Sequence, residues 1–107
     1  MVDKISNTFN FHNLVMQEIN FNRIGIIRKS IHPKEIGWYV AICDDSKNIG
    51  GYKIYTSNNK NFTGTADGAE IQFNNWVEHY ADIEEFIKGW EWQIDWTNEF
   101  LPSEWTG

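Results

Sequence analysis

The segment that most constrains the fold lies near the C-terminus, where large apolar and polar residues alternate over seven positions. The apolar positions are Trp90, Trp92, Ile94 and Trp96, and the polar positions between them are Glu91, Gln93 and Asp95. Successive side chains of a strand point to opposite faces of a sheet, so this period of two predicts a strand with one aromatic and one acidic face. The aromatic face needs a packed layer against it, which predicts helices on that side of a sheet.

A short helix is predicted immediately before this strand. Asp82 is a candidate N-cap residue, and Glu85 lies three positions later, as in a capping box. The predicted buried stripe consists of Ile83, Phe86 and Ile87. Gly89 is predicted to end the helix, because glycine adopts the left-handed conformation of that position easily. A helix of about two turns is not stable alone, so packing on the sheet must hold it.

Earlier parts of the chain predict four more strands, at residues 23–31, 38–43, 52–56 and 70–73. The run at 38–43 is apolar at every position, which is typical of a central strand covered on both faces. Residues 57–68 form a polar loop, and 74–80 are predicted to be irregular. Residues 11–21 fit a helix or a strand, and the spacing of their apolar residues favours a helix.

These elements predict an α+β fold, with an antiparallel sheet of about five strands and one or two short helices packed on one side. The length of 107 residues fits a single domain, with residues 1–10 and 97–107 as tails.

Charge is distributed unevenly along the chain. Residues 1–60 hold eight Lys or Arg against five Asp or Glu, a net charge of +3. Residues 61–107 hold one Lys against ten Asp or Glu, a net charge of −9, and this half also contains five of the six Trp. The overall charge of −6 argues against a general nucleic-acid-binding protein, which needs a basic face.

Few residues suit catalysis or metal binding. The histidines and the single cysteine occur singly, without the close spacing of metal ligands, at His12, His32, Cys43 and His79. Cys43 lies within an apolar run, which predicts a buried, inert thiol. A catalytic pair of carboxylates needs a deep cleft, which a chain of this length rarely forms. We therefore expect no enzymatic activity and no cofactor.

The sequence also predicts a compartment. Residues 1–10 lack the apolar core of a signal peptide, and no apolar run is long enough to span a membrane. The expected location is the cytoplasm, without contact with a membrane.

Acidic residues near aromatic ones form the candidate binding surface. Such carboxylates would steer a basic partner, and exposed aromatic residues would anchor it. The candidate partner-binding residues are Asp44, Asp45, Trp76, Glu78, Asp82, Glu84, Glu85, Glu91 and Asp95. The alternative interpretation is a solvated acidic face above a core that contains the tryptophans.

Several runs occur in a characteristic order: GWYVAICDD at 37–45, GYKIYT at 51–56, FNNWVE at 73–78, DIEEFI at 82–87 and the alternating strand at 90–96. This layout, which covers about residues 36–96, resembles small immunity proteins of bacterial contact-dependent inhibition and related polymorphic toxin systems. The resemblance implies a cytosolic protein that forms a tight one-to-one complex with a toxin domain, often a nuclease, and blocks or occludes its active site.

Three other functions remain open on the sequence. The chain could be another protein-binding module, such as a phage-encoded inhibitor or an assembly adaptor. It could bind a carbohydrate or small ligand on exposed tryptophans. An enzyme would require shifted carboxylates, or Cys43 and a histidine, to converge in a pocket.

Overall fold

A computed structural model describes residues 18–48 and 50–101 and shows one five-stranded antiparallel sheet with an α-helix packed alongside it. This arrangement confirms the predicted α+β fold. The elements are β1 (Arg23–Lys29), a 3-10 helix (Pro33–Glu35), β2 (Tyr39–Asp45), β3 (Gly51–Ser57), β4 (Gln72–Val77), α1 (Tyr80–Trp90) and β5 (Gln93–Phe100). Within the described ranges, no helix has the length and apolar composition needed to cross a bilayer.

The strand order is β4-β3-β2-β1-β5, so consecutive strands β1 to β4 are neighbours and β5 returns to the far side of β1. The helix α1 connects the two edge strands, β4 and β5, and therefore crosses one face of the sheet. We call this face the helix side and the opposite face the second face.

The main core lies between α1 and the helix side of the sheet. Ile83 and Ile87 of α1 are buried against apolar residues from four strands and the segment before β5, namely Ile27, Val40, Ile42, Ile54, Trp92 and Ile94. A fully buried isoleucine contributes about 1.5–3 kcal/mol relative to an exposed one. This shared cluster holds the helix on the sheet, as the predicted buried stripe requires.

A smaller core covers part of the second face. Ile24, Ala41 and Cys43 are buried there together with Phe62 of the β3–β4 loop and Leu101 after β5. The central strand β2 is therefore covered on both faces, which explains its continuous apolar sequence.

The ends of α1 differ from the prediction. His79 is the N-cap residue, and Asp82 lies three positions later, where its Oδ2 accepts a 3.0 Å hydrogen bond from the backbone N–H of His79. At the other end, Gly89 lies inside the helix, and Glu91 adopts the left-handed conformation with φ of 56°. The helix thus extends beyond the predicted stop because a non-glycine residue supplies the left-handed cap.

The edge strands also differ from their predicted bounds. β4 runs through Val77 with an unbroken register against β3, although residues 74–80 were expected to be irregular. β5 begins at Gln93 because Trp90 belongs to α1, and it continues to Phe100, into residues assigned to the C-terminal tail.

The segment predicted as a helix at 11–21 is described only from residue 18 onward. Residues 18–20 have no regular structure, and Phe21 forms an isolated parallel bridge with Ile42. The rest of this prediction, at 11–17, lies outside the described residues.

Candidate functional site

Four of the candidate acidic residues lie at one end of the sheet. The register aligns Asp44 of β2 with Tyr52 of β3, and Tyr52 with Val77 of β4. Neighbouring strands lie about 4.8 Å apart, so Asp44 and Val77 are separated by about 10 Å across the sheet. Asp45 follows Asp44, whereas Glu78 and Asp82 follow Val77 into the start of α1.

Local hydrogen bonds hold three of these carboxylates. Asp44 Oδ1 accepts a 3.0 Å bond from the N–H of Ser46, and Asp45 Oδ1 accepts a 2.8 Å bond from Nδ2 of Asn48. The hydrogen bonds from Ser46 hold the pKa of Asp44 below its ordinary value. The third carboxylate is that of Asp82, whose Oδ2 accepts the hydrogen bond from the N–H of His79 at the start of α1. These residues therefore shape the turns beside them as well as carrying charge.

The outer surface of α1 presents further carboxylates to solvent. Ile83 and Ile87 point into the core, whereas Glu84 and Glu85 are exposed. Glu91 is exposed at the opposite end of the helix from Asp82. A helix of 11 residues is about 16 Å long, so Glu91 is remote from the acidic end of the sheet.

Three candidates, Asp95, Asp45 and Trp76, lie on the second face. Asp95 forms a 3.0 Å salt bridge with Arg28, and both side chains are exposed. Asp45 lies two residues after Cys43 in β2 and therefore shares its face. Trp76 pairs with Lys53, which lies two residues before Tyr55 of the second-face core. The nine candidates therefore do not form one patch. We call Asp44, Glu84 and Glu85 the helix-side acidic surface, because Asp44 shares the face of Ile42 along β2 and the two glutamates lie on α1.

The tryptophans occupy different environments. Trp92 is 5% exposed and belongs to the core, whereas Trp76 is 50% exposed at the edge strand β4. Trp38, Trp90 and Trp96 are partly buried against the helix-side core. Trp105 lies outside the described residues. The aromatic content is thus shared between the core and the surface.

An open groove on the helix side was not predicted from the sequence. It has a volume of about 320 Å³ and lies between α1, the 3-10 helix and strands β3 and β4. We call it the aromatic groove, and its lining residues are His32, Glu35, Thr56, Phe73, Asn75, Phe86, Trp90 and Trp92. These residues come from distant parts of the chain, so no local sequence pattern indicated the groove.

Three aromatic rings form a continuous wall of this groove. The ring centroids of Phe86 and Trp92 are 5.5 Å apart, and those of Trp90 and Trp92 are 6.3 Å apart. Phe73 lines the side formed by β4 and is 50% exposed. His32 packs on Trp90, with 4.8 Å between the two ring centroids.

Glu35 supplies a carboxylate to the aromatic groove. Its Oε1 accepts a 3.0 Å hydrogen bond from Oγ of Ser30 and a 3.1 Å hydrogen bond from Nε1 of Trp92. Both donors fix this oxygen in place, so the carboxylate is held toward the aromatic wall.

The described residues show little that resembles a metal or nucleophile site. Among them, no group of three or more His, Cys, Asp or Glu could hold a metal ion. Cys43 is 3% exposed. Burial, with a smaller contribution from Asp45, raises the pKa of its thiol to about 11. A thiol of this kind is almost entirely protonated near neutral pH, which makes it a poor nucleophile.

Comparison with known proteins found no matching family model, no matching curated protein and no matching solved structure.

Proposed function

We propose that this protein is a cytoplasmic immunity protein that binds a cognate bacterial toxin domain in a tight one-to-one complex and neutralises it. The observation that carries this proposal is the helix-side acidic surface. Glu84 and Glu85 are exposed on α1, and Asp44 and Glu78 lie at the end of the sheet where α1 begins. Asp44, Glu84 and Glu85 lie on the helix side, and Glu78 lies in the connection between β4 and α1.

This surface suits a partner with a basic active site, such as a nuclease. A nuclease binds phosphates with cationic side chains, and exposed carboxylates can occupy the same positions. Complementary charge raises the association rate by up to orders of magnitude at low salt. The expected complex therefore forms rapidly and weakens as the salt concentration rises.

Affinity also requires anchors that are buried on binding, and aromatic residues commonly serve this purpose. Tyr80 is 45% exposed at the start of α1, where its ring contacts Phe21 and Tyr52 edge to face. These contacts limit the freedom of the ring before binding, so little side-chain entropy is lost when a partner covers it. Tyr80 thus extends the proposed interface beyond the charged residues.

The direct experiment identifies the gene immediately upstream and, where it encodes a large exported protein, pairs this chain with the C-terminal domain of that protein. We expect the two proteins to co-purify as a one-to-one complex, and co-expression to protect cells from the toxin domain. Absence of both a complex and protection would overturn the proposal.

Charge reversal then tests the surface. The double variant Glu84→Lys/Glu85→Lys should weaken binding by roughly tenfold or more at low salt. The matched control is Glu70→Lys/Glu99→Lys, which makes the same change in net charge. Glu70 bonds to Thr63 and Glu99 to Lys60, so both belong to the side of the β3–β4 loop. Equal weakening by the two variants would contradict the assignment to the helix side.

A further inference from the structure

The aromatic groove has an unbalanced charge. Glu35 and His32 are its titratable lining residues, and neither lysine nor arginine lines it. Within the described residues, Glu35 forms no ion pair, and its Oε2 accepts no hydrogen bond. Because Oε1 is already bonded to Ser30 and Trp92, the second oxygen remains able to accept from a ligand.

The aromatic rings beside Glu35 favour a positively charged ligand. Cations bind to the faces of tryptophan and phenylalanine rings when they lie within about 6 Å of the ring centroid. Here Phe73, which is 50% exposed, and the partly buried Phe86 and Trp90 line the same groove as the Glu35 carboxylate. A group that stacks on the rings and donates hydrogen bonds to the carboxylate would satisfy both features.

Guanidinium meets these requirements better than ammonium does. It is planar, so it stacks on an aromatic face, and its N–H groups pair with a carboxylate in a fixed geometry. An ammonium group is more strongly hydrated and has no flat face. Thr56 and Asn75 add neutral polar groups to the lining, which can accept the remaining N–H groups.

We propose that the aromatic groove receives an arginine side chain of the protein partner. This inference rests on the proposed function, because a basic toxin domain is the source of the arginine. The groove and the helix-side acidic surface share α1, which supplies Phe86 and Trp90 to one and Glu84 and Glu85 to the other. A single partner that covers α1 would reach both.

The first experiment needs no toxin. The indole N–H signals are followed by NMR while N-acetyl-arginine methylamide is added, with the neutral citrulline analogue as the comparison at equal ionic strength. We expect the arginine compound to shift the Trp90 and Trp92 signals with an affinity on the order of millimolar, and the citrulline compound to leave them unchanged.

Variants assign this response to the groove. Glu35→Gln keeps an acceptor for the Trp92 indole and removes the charge, so it should weaken binding of the arginine compound by roughly tenfold. Trp90→Leu removes a stacking face and should also weaken it. Glu70→Gln is the matched control, with the same change in charge outside both the groove and the proposed interface, and should have no effect. Three results would overturn the proposal. They are no shift with the arginine compound, equal shifts with the arginine and citrulline compounds, and shifts only with chitotriose, a carbohydrate probe.

The second experiment uses the toxin complex and separates the two proposals. Glu35→Gln should weaken the complex, while Glu70→Gln should leave it unchanged. If a complex forms and the two variants behave alike, the arginine assignment is wrong and the immunity function stands. If the arginine compound binds the groove but no toxin complex forms, the groove is a cation site and the immunity function is wrong.

Discussion

Trp92 and Glu35 are 57 residues apart in the sequence, yet the indole Nε1 of Trp92 donates a 3.1 Å hydrogen bond to Oε1 of Glu35. Trp92 follows the end of α1, and Glu35 belongs to the 3-10 helix between β1 and β2. The bond therefore connects the segment after α1 to the connection between β1 and β2. It also fixes the carboxylate of the aromatic groove.

Removal of this acceptor should destabilise the fold. Trp92 is 5% exposed, so Glu35→Ala would leave its indole N–H without its carboxylate partner, and the expected loss in the free energy of unfolding is about 1–3 kcal/mol. Glu35→Gln retains an acceptor and should lose less. Urea denaturation followed by circular dichroism measures both values. Equal stabilities for the two variants would show that the hydrogen bond contributes little.

The end of α1 predicts two stabilising substitutions. Gly89 lies within the helix, and an added Cβ would meet no atom within 4 Å, so Gly89→Ala should raise the free energy of unfolding by about 0.5–1 kcal/mol. Glu91 has φ of 56°, so Glu91→Gly should relieve its backbone strain and stabilise the protein by up to about 1 kcal/mol. Thermal unfolding measures both. If Gly89 were the left-handed cap, Gly89→Ala would destabilise the protein instead.

The sequence predicted the presence of the five strands better than it predicted where the strands and the helix begin and end. Hydrophobic patterns identified all five strands because side-chain alternation and continuous apolar runs are local signals. The end of α1 was misplaced because glycine is the usual left-handed residue, whereas here Glu91 adopts that conformation. The length of β4 was also missed. Asn74 and Asn75 are poor strand formers, and pairing with β3 overrides that preference.

The sequence was less informative about the candidate site. Charge counts correctly indicated exposed carboxylates such as Glu84 and Glu85, because charged residues seldom lie in a core. Their separation from Asp95 depends on strand order and on which face each side chain occupies. The aromatic groove depends on contacts such as the one between Trp92 and Glu35, which only the folded chain brings together.

Substitution of Gly25 tests how closely β1 packs against the side chains of Ile94 and Trp96 in β5. A Cβ at this position would lie 2.5 Å from Cγ2 of Ile94 and 2.9 Å from Cε3 of Trp96. Gly25→Ala should therefore force these side chains to move and lower the free energy of unfolding by about 1–3 kcal/mol. Gly64→Ala is the control, since its nearest atoms lie at 3.6 Å or more, and should change stability by less than about 0.5 kcal/mol. Chemical denaturation measures both, and a neutral Gly25→Ala would contradict this close packing.

The raised pKa of the Cys43 thiol predicts that the free energy of unfolding depends on pH in the alkaline range. Burial raises the pKa of its thiol from 9.0 to about 11 in the folded protein, so folding favours the protonated form. Below pH 9 the thiol is protonated in both the folded and the unfolded protein, so the corresponding stabilisation is complete. This stabilisation is lost as the pH rises toward 11. Cys43→Ser removes this titration, so its free energy of unfolding should fall less steeply than that of the unchanged protein between these values.

Thiol labelling gives an independent measurement of the same burial. With a pKa of about 11, only about one folded molecule in a thousand carries a thiolate at pH 8. A thiol-reactive disulfide reagent should therefore label Cys43 slowly in the folded protein and rapidly in concentrated urea. Labelling of the folded protein at the rate of an exposed thiol would contradict the buried position of Cys43 on the second face.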